Sequence, residues 1–538
     1  MDSHTPIHAS KYEEKMTLLD EKGLADIEGD AGRADLFSRT RQWTSHARSI
    51  PHNLRSILLR TGFFLLPSFI QPYVSRDPRS RATAASRHLS PTAYLDGMRG
   101  LAALFVYFCH YSYTSYIIAP GYGYVNEEKN IHHYYFLSLP FIRLFYSGPP
   151  MVCLFFVISG YALSLKPLKL MHASSRRWDA FAATMSSFTF RRAIRLFLPP
   201  AISTLLIVLL LRLGLYEWTR DLANDKAYHR NVHEPHHHRL DTTYEQLAEW
   251  ASHMFKFVHV WDWAPNGGST GMDVHLWTIP VEFRASMSLF LVLIGTARLR
   301  TAWRFLVVLV CMAFSYRSQR WEMALFLAGM ALAEMDIIRG AHEAGGNKAL
   351  PVASSPGSPS GSRSTSPSPL AKNWSVARAK RAAWIVLSII GLYLMSQPDN
   401  DAKDTPGWVY LTSLIPEWWS DQHRYWQSIG AVLFMLAVGR LPGWQRVFNT
   451  GVVQYFGKIS YAIYLMHGPA MHTVGYAIER WAWGITGLEG KAYDWGFVLA
   501  AVFVVPSVIW VSDVFWRAVD APVVRFAKWF EAKCNISE

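Results

Sequence analysis

The feature that most constrains this chain is the recurrence of apolar blocks about as long as a lipid bilayer is thick. A helix crossing the hydrocarbon core needs about 20 predominantly apolar residues. Helices suit that solvent because they satisfy their backbone polar groups internally. About ten blocks meet or approach this length, near 98–119, 148–165, 196–216, 276–297, 303–317, 320–338, 382–397, 427–442, 453–475 and 496–518. Over the 538 residues, 51% are hydrophobic and only 17% charged, and the apolar residues cluster rather than scatter. The pattern predicts an all-α, polytopic integral membrane protein with about ten transmembrane helices. A large soluble all-α enzyme is the alternative.

The charges between the blocks give the orientation. The net charge is +13, but the Lys and Arg residues lie in the segments that separate apolar blocks. That distribution suits cytoplasmic loops beside anionic lipid rather than a nucleic-acid surface. Arg76, Arg79, Arg81 and Arg87 precede the first block; Lys166, Lys169, Arg176 and Arg177 follow the second; Arg378, Lys380 and Arg381 precede the seventh; Arg525, Lys528 and Lys533 follow the last. With ten helices these fall on one side, so both termini are expected to be cytoplasmic.

Residues 1–90 read as a cytoplasmic tail with an interfacial or re-entrant segment over 57–74, interrupted by Pro67 and Pro72. No apolar core near Met1 marks a cleavable signal. Residues 91–520 form the membrane domain, with an outer loop at 217–275, a flexible cytoplasmic loop at 340–381, and a cytoplasmic tail at 521–538. The four cysteines show neither zinc nor disulfide spacing.

Ionisable residues inside apolar blocks are expensive, and they mark function by default. In "YLDGMRGLAALFVYFCH", Arg99 and His110 are eleven residues apart. On a helix they share a face to within roughly 20° and are about 16 Å apart along the axis. "HLWTIPVEFR" buries Glu282 and Arg284, either for chemistry or as an ion pair. In "GKISYAIYLMHG", Ser460, Tyr464 and His467 form one stripe, which either lines a ligand or glues helices. "FRRAIRLFLP" sets Arg192 and Arg195 at the start of the third block, able to grip phosphates or merely to fix topology. The outer loop carries "HRNVHEPHHHRLD", which reads as a solvated surface segment. No acidic or Cys partner of its histidines has the spacing of a metal site, and no metal is assigned.

Together these segments resemble the acyltransferase-3 family of integral membrane O-acyltransferases, in the form found in filamentous fungi. Arg99 and His110 fit its hallmark of a basic residue, ten residues, then histidine. "FFVISGY", "FRRAIRLFLP", "HLWTIPVEFR" and "GKISYAIYLMHGP" resemble its later motifs in order, and the likeness runs from about Ala93 to Phe515. The resemblance implies transfer of an acyl group, commonly acetyl, from acyl-CoA as co-substrate to a hydroxyl of a carbohydrate, lipid or secondary metabolite, with no bound cofactor. It implies His110 as general base and Arg99 at the acyl-CoA site. Arg192 and Arg195 suit the CoA phosphates, Glu282 the orientation of the imidazole, and Tyr464 and His467 the acceptor. A covalent acyl-His110 is the other route. No hydrolase-like domain is expected after the last block. The chain is expected in the endoplasmic reticulum, another endomembrane or the plasma membrane, and a proton-coupled transporter is the rival function.

Overall fold

The computed structural model describes residues 50–74, 89–128, 131–173, 177–261, 271–341 and 369–535. The helices in chain order are α1 Ile50–Leu65, α2 Gln71–Val74, α3 Ala93–Tyr113, α4 Gly148–His172, α5 Trp178–Arg212, α6 Leu215–Asn224, α7 Thr243–Phe257, α8 Thr278–Thr296, α9 Thr301–Arg317 and α10 Trp321–Ile338. They continue with α11 Pro369–Met395, α12 Val409–Ser413, α13 Gln422–Val438, α14 Pro442–Phe448, α15 Gly451–Ala470, α16 Tyr476–Thr486, α17 Lys491–Phe515 and α18 Ala521–Cys534. Two π-turns, Met471–Gly475 and Trp516–Asp520, extend α15 and α17. The strands among the described residues form one antiparallel hairpin, Tyr124–Asn126 with Ile131–His133.

Ten of these helices, α3, α4, α5, α8, α9, α10, α11, α13, α15 and α17, fall on the ten apolar blocks. Among the described residues, four stretches of helix, Gly148–His172, Trp178–Arg212, Val274–Thr296 and Lys491–Cys534, are long and apolar enough to cross a membrane. The outer surface is correspondingly apolar: Leu291 and Phe314 are 71% and 72% exposed, which suits lipid rather than water.

The boundaries differ from expectation in several places. The span 340–381, read as a flexible loop, already enters α11 at Pro369. The third block is only the second half of α5, which begins at Trp178 and runs through Pro199 and Pro200. Arg192 and Arg195 therefore lie inside a helix rather than ahead of one. Residues 521–538, read as a tail, begin with α18, which packs along α5 through an Arg191–Glu531 ion pair at 3.0 Å and stacked Phe190 and Phe530. The 57–74 segment comprises most of α1 and all of α2, joined to α17 by Ser68, whose amide and hydroxyl donate to Asp513 at 2.8 and 2.5 Å. The tail 1–49, Arg76, Arg79, Arg81, Arg87 and the Ser/Pro-rich loop 342–368 lie outside the described residues.

Helix contact is closest where side chains vanish. A Cβ on Gly100 would lie 2.2 Å from the backbone nitrogen of Gly457, so α3 and α15 touch backbone to backbone. That contact sets the face of α3 bearing Arg99 and His110 against the α15 stripe. Buried charge appears as pairs, as a low-dielectric interior demands. Arg304 of α9 grips Glu334 of α10 through Nε at 2.8 and 3.0 Å, and His172 of α4 meets the same carboxylate at 2.9 Å.

Candidate active site

One end of the site is a group of arginines. Arg99 donates from Nε to Ser460 Oγ at 2.9 Å and from its terminal nitrogen to the Gly457 carbonyl at 3.1 Å. On α5, Arg192 donates to Glu282 at 2.8 Å and to Ser286 at 3.0 Å, while Ser159 of α4 donates to Glu282 at 3.2 Å. Arg195, one turn on, has Asp520 and Glu282 as its charged neighbours, Asp520 being carried by the second π-turn. Glu282 thus pairs with Arg192 on another helix. Pro280 falls in the first turn of α8 and leaves the helix unbroken.

The other end is a group of imidazoles. The His110 ring centroid lies 4.1 Å from that of His275 and 5.2 Å from that of His467. His467 donates from Nδ1 to the Ile463 carbonyl at 3.0 Å. That bond fixes the proton on Nδ1 and leaves Nε2 as a buried lone pair. Tyr464 does not offer its hydroxyl freely: it donates to the His275 carbonyl and meets Thr278 Oγ1 at 2.6 Å. The α15 stripe therefore divides its work. Ser460 and Tyr464 fasten neighbouring groups, and His467 faces the other rings.

Sequence reasoning missed the carboxylates around these rings. Asp273 caps the turn Val274–Trp277, accepting from the His275 amide at 2.9 Å and from His275 Nδ1 at 2.7 Å. His275 Nε2 donates to Glu234 Oε1 at 2.9 Å, and His472 Nε2 donates to Glu234 Oε2 at 2.9 Å. Tyr113 also donates to Glu234, and His110 Nδ1 faces it at 3.7 Å. Burial opposes the charge on Glu234, but the His275 charge and the imidazole hydrogen bonds hold its pKa well below the usual carboxylate range. The loop read as solvated thus buries His229, Glu234 and His236. The loop sequence did place an acid among its histidines; only the fold could show that it enters the helix bundle.

His110, His275 and His467 offer nitrogens within 4.8 Å of one another, close enough to share an ion. His275 already spends both nitrogens on carboxylates, so joining a metal would cost it one of those bonds.

Interior side chains that stay partly accessible include Arg99 at 28%, His110 at 26% and Glu282 at 25%. His110 Nδ1 itself is buried, so the open part of the ring is the edge turned away from Glu234.

Comparison with known proteins identifies the family. The O-acetyltransferase PaAT-1 of Phomopsis amygdali is 30% identical over 485 residues, covering 86% of this chain and 87% of the relative. Acyltransferase R4 of Phoma sp. (strain ATCC 20986 / MF5453) is 27% identical, and acyltransferase clz18 of Cochliobolus lunatus 26%; each comparison covers 80% of this chain and 94% of the relative. No solved structure matches the chain. Residues 92–517 match the acyltransferase-3 acyltransferase domain, and this chain is an acyltransferase belonging to that family.

Proposed function

We propose that the protein is a multi-pass membrane O-acyltransferase, with about ten spans and both termini in the cytosol, moving an acetyl group from acetyl-CoA to a hydroxyl of a small lipophilic metabolite. The observation that carries this reading is the partial opening of Arg99, Glu282 and His110 inside a packed apolar bundle. Side chains at that depth remain accessible only where internal space reaches them.

CoA is cytosolic and polyanionic. Arg99, Arg192 and Arg195 form a cationic end able to receive its phosphates through charge-assisted hydrogen bonds. Glu282 holds Arg192 in place until the donor arrives. The pantetheine arm carries the thioester inward, over a distance matching the roughly 16 Å between Arg99 and His110 along α3. His110 takes the proton from the acceptor O–H, and the oxygen attacks the thioester carbonyl. The C–S bond breaks, and the leaving thiolate recovers the proton from His110. Neither oxidant nor metal is needed for this balance. His467, buried beside His110 with ring centroids 5.2 Å apart, backs the base on the side of α15. The apolar walls exclude water that would hydrolyse the thioester. The name of PaAT-1 as an O-acetyltransferase supports acetyl as the donor group.

The test is a metabolite comparison between cells with and without the gene. The expected result is loss of one product and accumulation of a precursor lighter by one acetyl mass. Loss of membrane transport with an unchanged set of acylated products would contradict the reading.

A further inference from the structure

The proposed reaction gives His110 a proton to carry but does not explain what holds its ring or sets its charge. The hydrogen-bond geometry around Glu234 supplies an answer. His236 Nε2 donates to the Tyr216 carbonyl at 2.7 Å, and its Nδ1 lies 2.9 Å from His472 Nδ1. His472 in turn meets Glu234 Oε2 through Nε2 at 2.9 Å. His275 stands between two carboxylates, Asp273 and Glu234, with one ring nitrogen directed at each. The array meets the demand that buried charge be paired, and it holds Glu234 ionised.

We infer that Glu234, delivered by the outer loop and held by His472 and His236, is the positioning residue for His110: its carboxylate faces His110 Nδ1, orients the ring and stabilises the imidazolium formed during transfer. This rests on the reading of His110 as the base. The arrangement follows the logic of a carboxylate–imidazole dyad, in which the acid holds one ring nitrogen so that the other faces the substrate. The 3.7 Å separation is longer than a hydrogen bond, as is common before substrate binds, and closes when the acceptor seats. Two further features mark the arrangement as built. The Glu234 side chain is 1% exposed although Val232 and Pro235 beside it are exposed. His472 lies in a π-turn, an irregularity that recurs at functional sites. The outer loop is therefore part of the active site rather than a cover over it.

The test uses membranes from cells carrying single variants, with acetyl-CoA as donor and the accumulated precursor as acceptor. Glu234→Gln keeps the shape and removes the charge. The expected result is a turnover at least ~100-fold lower with the KM for acetyl-CoA within about twofold of wild type. Glu479→Gln is the control for loop docking, because Glu479 holds the same loop through His229 at 3.2 Å and does not touch His110; it should retain turnover within a few-fold. Near-normal turnover in Glu234→Gln, or equal losses in the two variants, would overturn the assignment. Should Glu234→Gln not reach the membrane, His472→Gln, which keeps the carboxylate and removes one donor, should lower turnover about tenfold at unchanged KM; normal turnover there would overturn it equally. His110→Ala separates the two ideas. If that variant is active, the base assignment itself falls; if it is inactive while Glu234→Gln is normal, only the positioning role falls.

Discussion

The arginine end and the imidazole end of the site solve opposite problems. Arg99, Arg192 and Arg195 come from long helices, and their partners are spread over α15, α8 and the second π-turn. Arg99 keeps 28% of its side chain accessible, whereas Arg192 is buried against Glu282. The imidazoles converge on one carboxylate delivered by a loop, and Glu234 is sealed. Under the proposed reaction, a binding end tolerates exchange of partners, since an arginine can trade Glu282 for a phosphate. A proton-transferring end tolerates none, since one misplaced proton changes which ring nitrogen can act.

The two ends should therefore respond differently to mutation. The largest effect is expected at the imidazole end. His110→Ala removes the base and should lower transfer by 10²–10⁴-fold without weakening acetyl-CoA binding; a parallel loss of donor binding would merge the two ends into one. Next, Arg99→Ala should raise the dissociation constant for acetyl-CoA by about 10–100-fold, because a hydrogen bond from a charged group contributes roughly 1.5–3 kcal/mol. Calorimetric titration checks this, and unchanged affinity would remove Arg99 from the donor site. A smaller effect is expected between Arg192 and Glu282. A double-mutant cycle on thermal stability should give a coupling of about 1 kcal/mol, below that of a sealed pair because Glu282 keeps a quarter of its surface open. Acetyl-CoA should reduce the coupling further if the phosphates take over Arg192.

The smallest expected effect is one of pH. Burial, followed by the neighbouring His472, lowers the pKa of His236 from 6.5 to about 3. The unfolded loop then binds a proton that the docked loop refuses between those values, so docking is full above about pH 6.5 and weakens as pH falls towards 3. Hydrogen-exchange protection factors over 225–241, corrected for the intrinsic pH dependence of exchange, should fall on acidification, and His236→Asn should flatten that dependence. A loop equally protected at pH 4 and pH 7 would contradict the buried neutral ring.

Much of this was legible in the sequence where the physics is local. Apolar block length gave the positions of the ten helices, and the eleven-residue interval put Arg99 and His110 on one face, confirmed by their shared neighbour α15. Helix ends were less legible because apolar runs and helices need not stop together: α5 begins well before its apolar half. Glu282 was visible as an intramembrane acid, but its partner was not, because pairing with Arg192 depends on how α5 packs against α8. Glu234 was the hardest to see. Its loop is polar, and polarity on a sequence looks the same whether side chains meet water or one another.

The most direct measurement is complementation of cells lacking the gene, reading the acylated product by mass against the amount of protein in the membrane. Wild-type protein should restore the product, and His110→Ala at equal membrane level should leave only the precursor. Full restoration by His110→Ala would contradict an intramembrane imidazole as the base.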